Sequence, residues 1–186
     1  MMNISKNKCV GCGICTTICP EGIKLENGIA KVKNENAECM KTIINVCPQN
    51  AIKNITETFT IAIGTDDNQT IKADDHVGMS KNFQIWEYSN GELVFKEKRE
   101  NPKYKEDETR VHGDPGKAKA TASVLKDVDV LVGKLMGPNI VRLKEQFVCV
   151  IIREPEIEKA IEIIKENINE IVDEKNKNER MGIILN

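Results

Sequence analysis

The sequence predicts two domains, an α+β domain over residues 1–56 and an α/β domain over residues 57–186 whose mixed sheet has helices on its faces. Two observations predict this division. Six of the seven cysteines lie before residue 48, and after residue 57 strand-like and helix-like patterns alternate. Because 40% of the residues are hydrophobic but only 4% are aromatic, both cores must consist mainly of Ile, Val and Leu.

Four cysteines and two glycines are concentrated in residues 9–20. The run has the spacing C-x2-C-x2-C-x3-C-P, which is typical of bacterial ferredoxins. In those proteins the first three cysteines of the run bind one iron-sulfur cluster, and the fourth is not a ligand of that cluster. Gly11 and Gly13 permit the backbone to approach a cluster closely. The remaining ligand must lie downstream, and Cys47, which precedes a proline, is the candidate.

The remainder of the first domain contains two further patterns. Apolar and polar residues alternate on both sides of Asn27-Gly28, which predicts a β-hairpin. Residues 38–46 show helical spacing of apolar side chains and predict one helix, with Cys39 near its start and Cys47 after its end. Once four thiols bind one cluster, only two remain, which is too few for a second four-iron cluster.

Residues 1–55 resemble the single-cluster ferredoxins. The resemblance implies that a [4Fe-4S] cluster is bound by Cys9, Cys12, Cys15 and Cys47. It also implies that Cys19 and Cys39 can form a disulfide. Some members replace the second ligand by Asp, whereas this chain keeps Cys12, which favours four irons. Oxygen could still remove one iron and leave a [3Fe-4S] cluster.

A zinc site is the alternative interpretation of these cysteines, because C-x2-C pairs also bind zinc. Zinc sites usually combine two separated C-x2-C or C-x2-H pairs. Here three cysteines follow one another at three-residue steps before C-P, so the spacing favours the iron-sulfur cluster.

The second domain begins with three strands, of which the second and third are joined by Asn90-Gly91. A helix-strand-helix-strand-helix order follows, with Asp114 as the N-cap of the first helix. This order fits a ribonuclease H-like sheet. Residues 181–185 could add a strand or dock on a partner. The predicted strands are 59–64, 83–88, 93–98, 128–131 and 147–152, and the helices begin near Pro115, Pro138 and Pro155, the last one long.

From Ile61 to about Asn167 the chain resembles the dinitrogenase iron-molybdenum cofactor biosynthesis family, the NifX-like proteins that bind or carry metal clusters. The resemblance rests on Asp75-His76-Val77-Gly78, residues 83–87, Glu100-Asn101-Pro102, residues 127–132 and Gly137-Pro138. In that family the first motif usually reads His-Phe-Gly, and its histidine is implicated in cluster binding. The resemblance therefore implies an iron-sulfur or iron-molybdenum type cargo at His76, although Val77 replaces the aromatic residue.

Other polar residues have simpler interpretations. His76 could be an ordinary hydrogen-bonding residue of a loop. Residues 112–117 lack the length and the Ser or Thr of a Walker loop, so they predict a turn and a helix start. Exposed N–H groups at the starts of this helix and of the Pro138 helix could still hold the sulfides of a cluster, with His112 near them.

Four acidic residues follow the first strand of the second domain and resemble the magnesium-binding acids of nucleases. They all lie in one loop instead of on several strands, which predicts solvated turn residues and no nuclease activity. Cys149 is predicted to be buried and apolar, and Met79 and Met136 to fill core or loop space. The acidic residues are Asp66, Asp67, Asp74 and Asp75.

Composition excludes several functions. The net charge is −2, and no Lys/Arg block is present, which argues against nucleic acid binding. No apolar run is long enough to span a bilayer and the N-terminus does not resemble a secretory signal, so we expect a cytoplasmic protein. Neither domain shows a catalytic constellation. The oligomeric state is not indicated.

The sequence therefore predicts a non-enzymatic iron-sulfur protein that couples electron transfer to the binding or carriage of a metal cluster in metallocofactor assembly. Its expected partner is a redox or cofactor-assembly protein. The alternative is a plain ferredoxin-type electron carrier whose second domain only docks a redox enzyme.

Overall fold

The N-terminal region contains two antiparallel strand pairs and a short helix. Strand β1 (Met2–Ile4) pairs with β4 (Ile52–Asn54), and β2 (Ile23–Glu26) pairs with β3 (Ile29–Val32). Helix α1 (Ile14–Ile18) precedes β2. The structure is a computed structural model, and it describes residues 1–101 and 115–186. No helix within these residues is long and apolar enough to cross a membrane.

The turn between β2 and β3 confirms the predicted hairpin. Asn27 and Gly28 have φ angles of 53° and 76°, the left-handed values that a two-residue type I′ turn requires. Glu26 and Ile29 face each other across the turn.

The single helix predicted over residues 38–46 is wrong. Two short 3-10 helices, Glu38–Lys41 and Ile43–Asn45, occupy this segment. Thr42 separates them, and both its backbone N–H and its hydroxyl donate to the carbonyl of Cys39, at 3.1 and 2.8 Å. This local bonding competes with the i to i−4 pattern of an α-helix. Cys47 still follows the second helix, as predicted.

A six-stranded mixed sheet forms most of the rest of the chain, which confirms the predicted sheet type. Its order is β10-β9-β8-β5-β6-β7, with β10, β9, β8 and β5 parallel and β5, β6 and β7 antiparallel. Strand β8 begins two residues later than predicted. The strands are β5 (Phe59–Thr65), β6 (Asn82–Ser89), β7 (Glu92–Glu100), β8 (Val130–Gly133), β9 (Val148–Ile152) and β10 (Ile183–Leu185).

Helices cover both faces of this sheet. Ile61 and Ile63 of β5 point to one face and pack in a core with α4 and α5, whereas Ala62 points to the opposite face and packs with residues of α3. This division follows from the two-residue period of a strand. The helices are α2 (Pro115–Val124), α3 (Ile140–Gln146), α4 (Ile157–Glu166) and α5 (Ile168–Lys175).

The long last helix that the sequence predicted is broken at Asn167. The amide Nδ2 of Asn167 donates to the carbonyl of Ile163 at 2.8 Å, and its backbone has φ −112° and ψ 20°, which end α4 before α5 begins. An asparagine side chain that bonds to the preceding turn competes with the helical backbone.

Within residues 181–185, the segment Ile183–Leu185 forms a strand, the first of the two alternatives that the sequence offered. Strand β10 pairs in parallel with β9. The carboxylate of Glu174, whose side chain is only 1% exposed, accepts hydrogen bonds from the backbone N–H groups of Met181 and Gly182 and from the ammonium of Lys177. This buried carboxylate holds the entry to β10.

The N-terminal region docks where α4 meets α5. Asp173 forms ion pairs with Lys8 and Lys53, and the Nδ2 group of Asn169 donates to the carbonyl of Ala51 at 3.3 Å. The Nδ2 group of Asn7 donates to Glu170 at 2.7 Å. These contacts fix the cysteine-rich loop relative to the large sheet.

Candidate metal-cluster sites

Four cysteines from different segments line one pocket. Cys9 ends a turn, because its backbone N–H donates a hydrogen bond to the carbonyl of Ser5 at 3.0 Å. Cys15 lies on α1. Cys12 is exposed at the rim, and Cys47 follows the second 3-10 helix. The side chains around the thiols are largely apolar and include Ile4, Val10, Ile14, Leu25, Ala30 and Ile52.

The cysteine loop needs glycine at its closest approach to the hairpin. Gly11 has φ +68°, and a methyl group built on it would lie 2.2 Å from the carbonyl oxygen of Gly28. Any side chain there would push the loop away from the β2–β3 turn. Gly13, with φ +77°, starts α1, and its carbonyl accepts the N–H groups of Thr16 and Thr17.

Backbone N–H groups point at two of the sulfurs. The N–H of Ala30 donates to Sγ of Cys9, and the N–H of Ala51 donates to Sγ of Cys47, both at 3.4 Å. Burial raises the pKa of the Cys15 thiol, and the neighbouring Cys9 and Cys12 sulfurs raise it further. A raised pKa means that the thiol tends to keep its proton. A cationic metal centre would favour the thiolate form, and the N–H groups would stabilise the negative charge on Cys9 and Cys47.

The pocket offers four cysteine thiols as donors for a metal centre. Within residues 1–101 and 115–186, no group of three or more His, Cys, Asp or Glu is arranged to hold one metal ion. Zinc would require all its ligands within about 2.3 Å of one centre. Four cysteine thiols around a common apolar pocket would instead suit an iron-sulfur cluster.

The two other cysteines of the N-terminal region lie apart from the pocket. Cys19 and Cys39 are joined by a disulfide, and Cys19 is fully buried. A methyl group on Gly22 would lie 2.6 Å from Sγ of Cys19 and 2.5 Å from Sδ of Met40, so Gly22 makes room for this bond. Neither Cys19 nor Cys39 is among the residues that line the pocket.

His76 lies at the carboxyl ends of β5 and β8, just before the 3-10 helix Val77–Met79. Its ring packs on Gly137, where an added methyl group would lie 2.5 Å from Cδ2 and 2.6 Å from Nε2. Its backbone N–H donates to Asp75. Nδ1 is buried and has no hydrogen-bond partner in the described part of the chain. His112 lies outside the described residues, as does Asp114.

The four acidic residues of the loop after β5 serve its own structure. Lys72, only 8% exposed, lies between Asp66 and Asp74, with both N–O distances 2.8 Å. Asp67 accepts the N–H groups of Thr70 and Gln69, which lower its pKa to about 2. Asp75 binds the N–H of the next residue. These contacts account for the carboxylates without a metal.

The sequence predicted packing roles for three sulfur-containing side chains, those of Cys149, Met79 and Met136. Cys149 is buried in β9, and desolvation by burial raises the pKa of its thiol to about 12. Met136 packs against the core on the α3 face, whereas Met79 is exposed. The thiol of Cys149 is therefore protonated at neutral pH and poorly suited to metal binding.

The cysteine pocket and His76 lie at opposite ends of the sheet. The N-terminal region adjoins the start of β5, where the ammonium of Met1 donates to the carbonyl of Ile55. Val77, next to His76, packs against Gly64 near the end of β5 and Gly133 at the end of β8. The seven residues of β5 span about 20 Å, so the two sites do not adjoin.

Comparison with known families agrees with this arrangement. Residues 58–167 match the family model described as dinitrogenase iron-molybdenum cofactor. The chain belongs to this family.

The N-terminal region of this dinitrogenase cofactor family protein has a second match. A model described as a 4Fe-4S binding domain covers residues 1–23. A ferredoxin from Thermococcus litoralis is 37% identical over an alignment of 54 residues, and the match covers 27% of this chain and 92% of the ferredoxin. Both predicted resemblances are therefore confirmed. An iron-sulfur binding region and a cofactor-family region occur in one chain, which supports a role in metallocluster assembly.

The sequence did not identify the residues that seat His76 in this dinitrogenase cofactor family protein. Gly64 and Gly133 stand near or at the ends of β5 and β8, and Gly137 lies under the imidazole. Glycine in a strand can mark close backbone approach, which is the one signal that could have identified Gly64 and Gly133.

Proposed function

We propose that this protein is a non-enzymatic iron-sulfur protein that binds one [4Fe-4S] cluster and couples electron transfer to the binding or carriage of a metal cluster in metallocofactor assembly. The observation that supports it best is the four-thiol pocket in the same chain as a histidine with an unpaired buried nitrogen. We also propose a ferredoxin-like domain over residues 1–56 and a ribonuclease H-like domain over 57–186, in keeping with the sheet order.

The cysteine pocket binds the [4Fe-4S] cluster through sulfur atoms. The sulfurs of Cys9, Cys12, Cys15 and Cys47 bind the irons, and the N–H groups of Ala30 and Ala51 stabilise two of the thiolates. The apolar lining limits access of water to them. When bound, the cluster supplies one-electron chemistry.

The separation of the two sites determines how electrons are exchanged. Because the length of β5 lies between them, electrons pass between the cluster and a separate redox or cofactor-assembly protein, and not directly to His76 of the same chain. The pocket has a suitable outer surface, since Cys12 and Ile14 are exposed and Val10 is 66% exposed. Exposed apolar side chains beside a redox centre can pack against a partner.

The second site binds its cargo through His76. Its ring is held between the loop and Gly137, and its Nδ1 atom makes no hydrogen bond within the described residues. Imidazole nitrogen is a common ligand of iron and other transition metals. The cargo is an iron-sulfur or iron-molybdenum type cluster. His112, the other candidate ligand, is tested together with it.

Iron and acid-labile sulfide counts with electron paramagnetic resonance test the proposal on full-length protein purified without oxygen. We expect about four irons as isolated, loss of the signal in Cys47→Ser, and an unchanged count in Cys149→Ala, which removes a buried thiol from another region. A signal of three irons that appears only after exposure to air identifies oxidative loss. An intact cluster in Cys47→Ser would contradict the proposed ligand set.

The second site is tested by anaerobic incubation of the loaded full-length chain with iron and sulfide. We expect iron above the first four, and its loss in His76→Ala, with His112→Ala deciding whether that residue contributes. If no additional iron binds to the wild-type chain, the plain electron carrier whose second domain only docks a redox enzyme replaces the proposal.

A further inference from the structure

The side chain of Val77 occupies a socket formed by two glycines. Val77 is 1% exposed. A methyl group added to Gly64 would lie 2.8 Å from Cγ2 of Val77, and one added to Gly133 would lie 2.7 Å from its Cβ. Real Cβ contacts of this length essentially never occur, so both positions must lack a side chain for Val77 to sit where it does.

The backbone around Val77 is held from several sides. Its N–H donates to the carbonyl of Leu135 at 2.9 Å, and the N–H of Met79 donates to the carbonyl of His76 at 2.8 Å. The Nδ2 group of Asn101 donates to the carbonyls of Gly78 and Ser80 at 2.9 and 2.8 Å. The turn that presents His76 therefore has little freedom to shift unless Val77 leaves its socket.

The imidazole of His76 completes the arrangement. It lies on Gly137, four residues after Gly133 at the end of β8. Val77 thus contacts the ends of β5 and β8, and His76 contacts the segment that follows β8. Since Val77 and His76 are adjacent, a movement of Val77 out of the socket would shift the backbone from which the imidazole extends.

We propose that Val77, seated between Gly64 and Gly133, is a positioning residue that sets the location of the His76 imidazole for cargo binding. This inference rests on the proposed role of His76. Val77 does not touch the cargo; it fixes the turn from which His76 reaches it. Residues that orient a metal ligand commonly change metal affinity by about 10- to 100-fold when they are replaced.

The test uses the loaded full-length chain with iron and sulfide as the probe. Gly133→Ala places a methyl group against Val77, and we expect at least a tenfold weaker uptake of iron beyond the first four. Gly133→Ala combined with Val77→Gly removes Cβ, Cγ1 and Cγ2 of Val77, the atoms that the new methyl group would meet, and should recover most of that uptake. Gly78→Ala is the matched control, because its methyl group would make only a 3.4 Å contact with Oγ1 of Thr121.

A second measurement reports the position of the ring itself. The chain has only two histidines, so comparison with His112→Ala assigns the imidazole signals of His76 in NMR spectra of the full-length protein. We expect these signals to shift in Gly133→Ala, to return towards the wild-type positions in the double variant, and to stay unchanged in Gly78→Ala. Circular dichroism establishes that each variant is folded, and Val77→Ala, which only removes atoms, replaces Gly133→Ala if that variant does not fold.

The outcomes separate this inference from the function on which it rests. If His76→Ala abolishes the additional iron while Gly133→Ala and Val77→Ala both bind it like the wild type, the positioning role is wrong and the proposed function stands. If His76→Ala itself binds the additional iron normally, the proposed role of His76 is wrong. Weak uptake in Gly133→Ala that the double variant restores supports the socket.

Discussion

The ammonium of Lys8 lies 2.6 Å from Oδ2 of Asp173, so the residue before Cys9 is bonded to helix α5. Lys53 binds the other oxygen of the same carboxylate. Partial burial alone would raise the pKa of Asp173, but hydrogen bonds from Lys53 and Lys8 lower it below its ordinary value. Asp173 is therefore charged at neutral pH and ties two segments of the N-terminal region to helix α5.

Replacing Asp173 by Asn should weaken this docking. The variant loses two charge-assisted contacts that are about one-third exposed, so we expect a loss of about 1–2 kcal/mol in the free energy of unfolding. The measurement is the urea dependence of visible absorbance and far-UV circular dichroism without oxygen. Glu166→Gln is the control, since its pair with Lys6 is largely exposed and 3.5 Å long. Equal effects of the two substitutions would argue against a specific role of Asp173.

Gly11→Ala should prevent stable cluster binding, because its methyl group would collide with the carbonyl oxygen of Gly28. Gly28→Ala provides a close comparison: its φ is also positive, at +76°, but no atom lies within 4 Å of the added methyl group. We expect iron content well below that of the wild type in Gly11→Ala and near-normal iron in Gly28→Ala, whose cost is about 1 kcal/mol of backbone strain. Iron analysis decides, and similar iron loss in both variants would contradict the proposed close approach.

Cys149 should resist alkylation in the folded protein. Burial raises the pKa of its thiol to about 12, so at pH 8 almost no thiolate is present and the reagent has no access. Mass spectrometry after iodoacetamide treatment should find Cys149 unmodified before denaturation and modified after it. Rapid labelling of native protein at this position would show that β9 opens readily.

The same thiol predicts a pH dependence of stability. An unfolded cysteine loses its proton near pH 8.5, whereas the folded one retains it until about pH 12. Between these values the folded state binds the extra proton, so stability decreases as pH rises. The difference in unfolding free energy between wild type and Cys149→Ala should therefore shrink above about pH 9. A difference that stays constant from pH 7 to 11 would exclude this linkage.

Glu174→Gln should loosen β10 without disturbing the rest of the sheet. Burial would raise the pKa of Glu174, but the hydrogen bonds from Lys177, Gly182 and Met181 lower it, so the group binds as a carboxylate. A neutral amide cannot satisfy both the ammonium and the two N–H groups, and about 1–3 kcal/mol is lost locally. Hydrogen exchange of the amides in residues 183–185 should accelerate, while β5 exchanges as in the wild type.

The sequence predicted the features that depend on local chemistry. Asn27-Gly28 and Asn90-Gly91 require positive φ angles, and both form the turns expected of them. The thiols that line the common pocket include Cys47, which was assigned from its proline context and the family resemblance. The strand predicted over residues 59–64 is also present, as β5.

Features that depend on tertiary contacts were missed. The break at Asn167 occurs within an uninterrupted apolar periodicity, and the contacts of Asn7 with Asn167 and Glu170 join residues about 160 positions apart. No local pattern indicates such a pairing. The socket around Val77 was equally hidden, because Gly64 and Gly133 meet only when β5 and β8 pair.

The location of the cysteine pocket and His76 at opposite ends of β5 has a consequence for assembly. A protein docked on the exposed side of the pocket would leave the far end of the sheet accessible, so an electron donor and a cargo acceptor need not compete for the chain. Under the proposed function, the molecule would bridge two other proteins, and delivery of electrons and delivery of cargo would occur in either order.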